Sequence, residues 1–233
     1  MLRRGGALAH ATGRVRRYAT TASLLRHAFD GAPDAFSISA ADCAHVNAAS
    51  TWDQHRNGAG AATYGEISPR GTSALIHALG VGEHSHFYDL GSGGGAVVLQ
   101  VALESAARAA IGIEMSRERH AIATRALQRL GKVLPEVLQR ARFECADLSV
   151  ASWSDATEVY AANLLFPPPL NAVMSRQLAQ CSGLQRVATL KPLEALPAGF
   201  ALACRLKLPF TWADRCSVFV YERTRLTRRA HGV

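Results

Sequence analysis

The residues able to do chemistry gather around one glycine-rich turn and three acids. "YDLGSGGG" (88–95) carries Gly91, Gly93 and Gly95, which let the backbone pass close to a ligand where side chains would clash. A dinucleotide site would want G-x-G-x-x-G, with pyrophosphate seated on a helix N-terminus. Here the third glycine comes one residue early, and Asp89 stands just ahead of Gly91. A carboxylate there repels pyrophosphate but suits the ammonium of a methionine moiety. Glu114 is placed to accept hydrogen bonds from two ribose hydroxyls, and Asp147 one from an adenine amine. Each acid alone reads as well as a helix cap. In strand-end order the set outlines S-adenosyl-L-methionine, which has an ammonium, a sulfonium and a ribose but no phosphate.

Those residues need strands to carry them and helices to cover the strands. "HFYDL" (86–90), "AIGIE" (110–114), "RFECAD" (142–147) and "EVYAANLLF" (158–166) read as strands. Helical patterns run through 96–109, from an N-cap at Ser116 to a C-cap at Gly131, and from the prolines at 167–169 to Cys181. "QRVATLKPL", "ALACRLKL" and "SVFVYER" complete the strands, the last two with no helix-length pattern between them. Alternation of this kind predicts an α/β fold. The expected class is the class I (Rossmann-like) methyltransferase: a mostly parallel sheet, helices on both faces and an antiparallel closing hairpin.

With "TYGEISPRGTSALIHAL" (63–79) upstream, the chain resembles the non-SET histone-lysine methyltransferases of the disruptor-of-telomeric-silencing (Dot) family. The likeness is collinear over roughly residues 60–225. It takes in "FYDLGSGGGAVVLQVAL", "GIE", "YAANLLFPPPLN", "TLKPL" and "FTWADRCSVFVYER". It implies that Tyr64, Gly65, Glu66 and Ile67 fold over the methionine end of the cofactor. Residues 87–96 would bind it too, among them Tyr88, Asp89, Leu90, Gly91, Ser92, Gly93 and Gly95. Glu114, Asp147 and the adjacent Leu148 would hold the nucleoside. The family's Asn-Asn-Phe is here Ala162-Asn163-Leu164, so Asn163 is the candidate catalytic residue, accepting a hydrogen bond from the amine or holding the methionine end. Ala96 stands where a polar residue can follow the glycines, and Leu148 where an aromatic would stack on adenine. The implied acceptor is a protein lysine, with Phe166, Trp212, Phe219 and Tyr221 as candidate walls of its channel.

Composition bounds the rest. The chain has 233 residues and a net charge of +8. Residues 1–29 hold six arginines and no acid, and 223–229 hold four more; residues 30–222 carry 16 basic and 18 acidic groups. A body so close to neutral offers no broad phosphate-binding face. The Arg-, Ala-, Ser- and Thr-rich start, with "RRYATTA" resembling a processing site, reads as a mitochondrial transit peptide over 1–30, the alternative being a disordered basic arm on a nuclear protein. Residues 31–62 then form a short lead-in, 63–225 the methyltransferase domain and 226–233 a basic tail. The five cysteines are scattered and the nine histidines show no metal spacing, so no metal site is expected. Three other functions fit parts of the pattern. A nuclear histone-lysine methyltransferase would share the whole resemblance. A nucleic-acid or small-molecule N-methyltransferase would have its prolines three residues earlier than "NLLFPPP" does. A cofactor-binding assembly factor would tolerate Ala162.

Overall fold

The computed structural model describes residues 20–33, 35, 37–49 and 65–224. Seven strands form one sheet: β1 (His86–Leu90), β2 (Ala109–Glu114), β3 (Ala141–Cys145), β4 (Glu158–Ala161), β5 (Arg186–Thr189), β6 (Phe200–Phe210) and β7 (Ala213–Arg223). Their order is β3-β2-β1-β4-β5-β7-β6. The first five are parallel, and β7 runs antiparallel between β5 and β6. The chain therefore reverses its winding between β1 and β4, where ligands of doubly wound sheets bind beyond the carboxyl ends of the strands.

Side-chain alternation along the strands separates two cores. On one face Phe87, Ala110, Tyr160, Ala188 and Val220 pack under α1 (Thr21–Phe29), α3 (Pro69–Leu79), α4 (Ala96–Glu104) and α5 (Arg117–Val133). On the other, Tyr88, Ile111, Val159, Val187 and Tyr221 pack against Trp153 and against Met174 and Leu178 of α6 (Pro168–Gln180). The remaining helix, α2 (Ala40–Ala49), is tied to α5. Asp42 accepts from the Ser116 hydroxyl at 2.5 Å and from the Arg117 and Glu118 amides, while Glu118 accepts from the Ser39 amide and hydroxyl. Each helix start is thus capped by an acid from the other, where helix dipoles favour negative charge.

Several elements differ from the sequence reading. β4 ends at Ala161, and residues 163–165 form a 3-10 turn rather than more strand. Gly131 lies inside α5, where a Cβ would come within 2.6 Å of Leu138, so close packing rather than a C-cap requires it. α4 stops at Glu104, before the Ser105 C-cap. The segment 1–30, set apart from the fold on composition, contains α1. Thr20 and Ser23 cap that helix reciprocally, and Leu24, Leu25 and Ala28 are buried in the core. Residues 1–19 lie outside the described residues. Among the described residues no helix is long and apolar enough to cross a membrane.

Candidate active site

The glycine turn follows β1 directly and opens α4. Gly91, Gly93 and Gly95 have φ of +84°, +54° and +89°, which side-chain-bearing residues rarely adopt. The Gly91 and Ser92 amides both donate to Ile113 of β2, which curls the turn over the sheet edge. Glu114 fixes its far side: one carboxylate oxygen accepts from the Gly93 amide and the other from the Ser116 amide, each at 2.8 Å. Burial pushes the Glu114 carboxyl up, while those amides and the Arg119 charge pull it down. The Met115 amide is against the same carboxylate, which still leaves acceptor capacity for a ribose hydroxyl.

Asp89 is the electrostatic centre. It is 2% exposed, and its carboxyl is pushed up to about 8 by burial, reinforced by the nearby charges of Glu114 and Glu66. An acid so placed is stabilised by a cation. It lines a pocket with Gly65, Glu66, Ile67, Gly91, Ser92, Ala96, Val97, Tyr160 and Ala162. Ser92 adds a buried hydroxyl with no hydrogen-bond partner among the described residues, facing Gly112 so closely that a Cβ there would lie 2.5 Å from it. A cation-seeking carboxylate, a side-chain-free turn and an oriented acid at the next strand end fit S-adenosylmethionine, with its ammonium at Asp89 and its ribose at Glu114.

The wall of this pocket at residues 65–67 is held in place by a distant segment. The Thr211 amide donates to the Glu66 carbonyl, the Glu66 amide to the Thr211 hydroxyl, and the Ser68 amide to the Pro209 carbonyl. An isolated antiparallel bridge between Ile67 and Phe210 pins residues 66–68 to the β6–β7 hairpin. Trp212 at the hairpin tip packs against Phe210 with the rings tilted at 45°, and covers Gly65, where any Cβ would lie 2.2 Å from the indole. Tyr64 lies outside the described residues.

The remaining expected residues divide. Tyr88 and Leu90 are buried in the core on the α6 side. The Tyr88 hydroxyl donates to Asp155 at 2.7 Å, so neither side chain enters the pocket. Asp147 accepts from the Ser149 amide at 2.7 Å, while Leu148 packs in that same core. Of the expected channel walls, Phe166 lies over Gly91 and Trp212 over Gly65. Phe219 and Tyr221 instead sit on the α6 side of the sheet, Phe219 beneath Arg205 and Tyr221 accepting from the Leu193 amide.

The acceptor atom of Asn163 is committed to the fold rather than to an amine. The residue is 0% exposed, and its Oδ1 accepts from the Leu190 and Lys191 amides at 2.9 and 2.8 Å. Its Nδ2 donates to Asn171, whose own amide donates to the Phe166 carbonyl. Both lone pairs of the oxygen are committed, so Asn163 cannot accept from a substrate amine. It clamps the end of β5 to the turn after β4 and thereby positions Ala162 and Phe166. The residue that reaches the pocket is its neighbour Ala162.

Sequence reasoning also missed Tyr160, although the signal was present. It pairs with Asp89 in the β1–β4 register and so shares its face of the sheet.

Histone methylation protein DOT1 is the family that matches, over residues 44–201, well over half of the chain. The chain belongs to the DOT1 family. No curated protein matches. Among solved structures, an RNA methyltransferase from Salinibacter ruber in complex with S-adenosyl-L-homocysteine is similar at 23% identity, over 66% of this chain and 90% of that one, with a TM-score of 0.50. Magnesium protoporphyrin IX methyltransferase from Synechocystis with bound S-adenosylmethionine matches at 16% identity, over 93% and 99%, with a TM-score of 0.50. Streptococcus pneumoniae Sp1610 in complex with S-adenosyl-L-methionine matches at 14% identity, over 70% and 76%, with a TM-score of 0.52. At these identities the likeness is one of fold. The DOT1 chain has the S-adenosylmethionine-dependent class I methyltransferase fold, and its site fits that cofactor. Against its family's Asn-Asn-Phe, this DOT1 member has an apolar residue at the one position of the three that lines the pocket.

Proposed function

We propose that this protein is a protein-lysine N-methyltransferase that acts on a mitochondrial protein. The observation that carries the reading is the Asp89 pocket, walled by residues 65–67 that the β6–β7 hairpin holds, in a chain of the DOT1 family. When bound, S-adenosylmethionine supplies an electrophilic methyl group on a sulfonium. Asp89 holds the cofactor's ammonium and the glycine turn its main chain, while Glu114 orients the ribose. Phe166 beside Gly91 and Trp212 over Gly65 flank the pocket with apolar surface against which an incoming amine would lose water. Lysine, at about 10.4 in water, is charged until it enters such surroundings; desolvation favours the neutral, nucleophilic form. Positioning and desolvation are then the whole of the protein's contribution, with no covalent intermediate on the chain.

The near-neutral body supports a protein acceptor over nucleic acid. Import rests on the acid-free, Arg-rich start. α1 begins at Thr21, so cleavage within "RRYATTA" upstream of Thr20 would spare its capping box. The test is the full chain with methyl-labelled cofactor and separate pools of mitochondrial protein, RNA and nucleosomes. Label on lysine in the mitochondrial pool is expected. Label in RNA alone overturns the acceptor class, label in nucleosomes alone overturns the compartment, and cofactor binding without transfer makes the chain a binding module. A fusion that preserves the N-terminus should localise to mitochondria; a purely nuclear signal contradicts import.

A further inference from the structure

We propose that Tyr160 is a catalytic residue whose hydroxyl holds the acceptor nitrogen during methyl transfer; this rests on the amine-methylating reading above. Tyr160 is 2% exposed and lines the same pocket as Asp89 and Ala162. The Asp89–Tyr160 register pair puts its ring on the cofactor face of the sheet. Its hydroxyl makes no hydrogen bond among the described residues and so is open to a ligand in the pocket. The other polar side chains of the pocket have other assignments. Asp89 and Glu66 are acids grouped at the ammonium end, and the Ser92 hydroxyl faces Gly112. Asn163 has spent its oxygen on two backbone amides, and Ala162 offers no polar atom. Tyr160 is the uncharged hydrogen-bonding side chain left on that wall.

Burial, with Asp89 and Cys216 nearby, raises the phenol well above its ordinary value, so it stays neutral and cannot act as a base. A neutral phenol oxygen can accept one N–H of the amine, which leaves the nitrogen lone pair free to meet the methyl carbon. The N–C bond then forms as the carbon–sulfur bond breaks. The electron pair stays on sulfur as a neutral thioether, and the newly cationic amine gives its proton to water. A nitrogen held this way has one N–H occupied at each transfer, which disfavours repeated methylation.

The experiment compares the full wild-type chain with Tyr160→Phe, which removes only the oxygen. Methyl-lysine is resolved as mono-, di- and trimethyl forms by mass spectrometry of hydrolysed acceptor protein, and cofactor affinity is measured by calorimetry. Losing one hydrogen bond should lower turnover about three- to tenfold, with cofactor affinity within about twofold and products shifted toward higher methylation. Unchanged rate and product distribution, with wild type active on lysine, would overturn this role alone. Turnover lost through weakened cofactor binding would overturn it too, assigning Tyr160 to the methionine end. A wild-type chain that methylates no amine would overturn the functional reading and this role together.

Discussion

The buried Asp89 makes cofactor binding a proton-linked event. Its carboxyl titrates at about 8 rather than 3.8, so between those values the folded chain binds more protons than the unfolded chain. Stability must then fall as pH rises through that window, because the slope follows the difference in bound protons. From 3.8 to 7 the loss accumulates at about 1.4 kcal/mol per pH unit, roughly 4 kcal/mol in all. A bound ammonium removes the cause, since it compensates the charge that burial penalises. At pH 7 a group titrating at about 8 is about nine-tenths protonated, so binding S-adenosylmethionine should release close to one proton. Affinity should climb nearly tenfold per pH unit from about 6 to 7.5. Above about 8 it should decline, because the ligand's own α-amino group loses its charge at about 7.7–8.0. Calorimetry in buffers of different ionisation enthalpy reads the proton release directly. Asp89→Asn should abolish that release and weaken binding about 10- to 100-fold, the worth of a charge-assisted hydrogen bond, while stabilising the ligand-free chain at pH 8. Flat affinity from pH 6 to 8 with no proton release would refute the claim that Asp89 meets the ammonium.

Other residues give independent checks. Asn163→Ala strands the Leu190 and Lys191 amides and should cost about 3 kcal/mol in urea denaturation; Asn171→Ala, which removes one link of the same chain, should cost about 1 kcal/mol. A stable Asn163→Ala chain without turnover would instead make Asn163 a direct participant. Gly65→Ala forces the Trp212 ring aside and should cost about 1–3 kcal/mol, seen as altered tryptophan fluorescence and weaker cofactor binding. Asp42→Ala removes the acceptor at the start of α5 and should lower stability by about 1–2 kcal/mol, with faster amide exchange across α2 and the first turn of α5.

The parallel part of the sheet was legible because its strands are short apolar runs, the first three leading to acids, and the turn because only glycine tolerates its backbone. Asp89 and Glu114 followed from their places at strand ends. What escaped were relations between distant segments. Nothing local tells that Glu66 and Thr211 pair, or that Gly65 exists for Trp212. α1 was hidden by composition, since its Leu24, Leu25 and Ala28 sit among residues read as a leader. Phe219 and Tyr221 are aromatic and lie in the right hairpin, but strand alternation turns them to the α6 face. Asn163 sits where a reactive amide belongs, yet the turn after Ala161 rotates it inward and leaves Ala162 at the pocket.

The destination of the methyl group decides between the acceptor classes. The full chain, incubated with methyl-labelled S-adenosylmethionine and mitochondrial protein, should yield labelled N-methyl-lysine on hydrolysis, and Asp89→Asn should lose that product through weakened cofactor binding. Label recovered in RNA or on another amino acid, with none on lysine, would contradict a lysine acceptor.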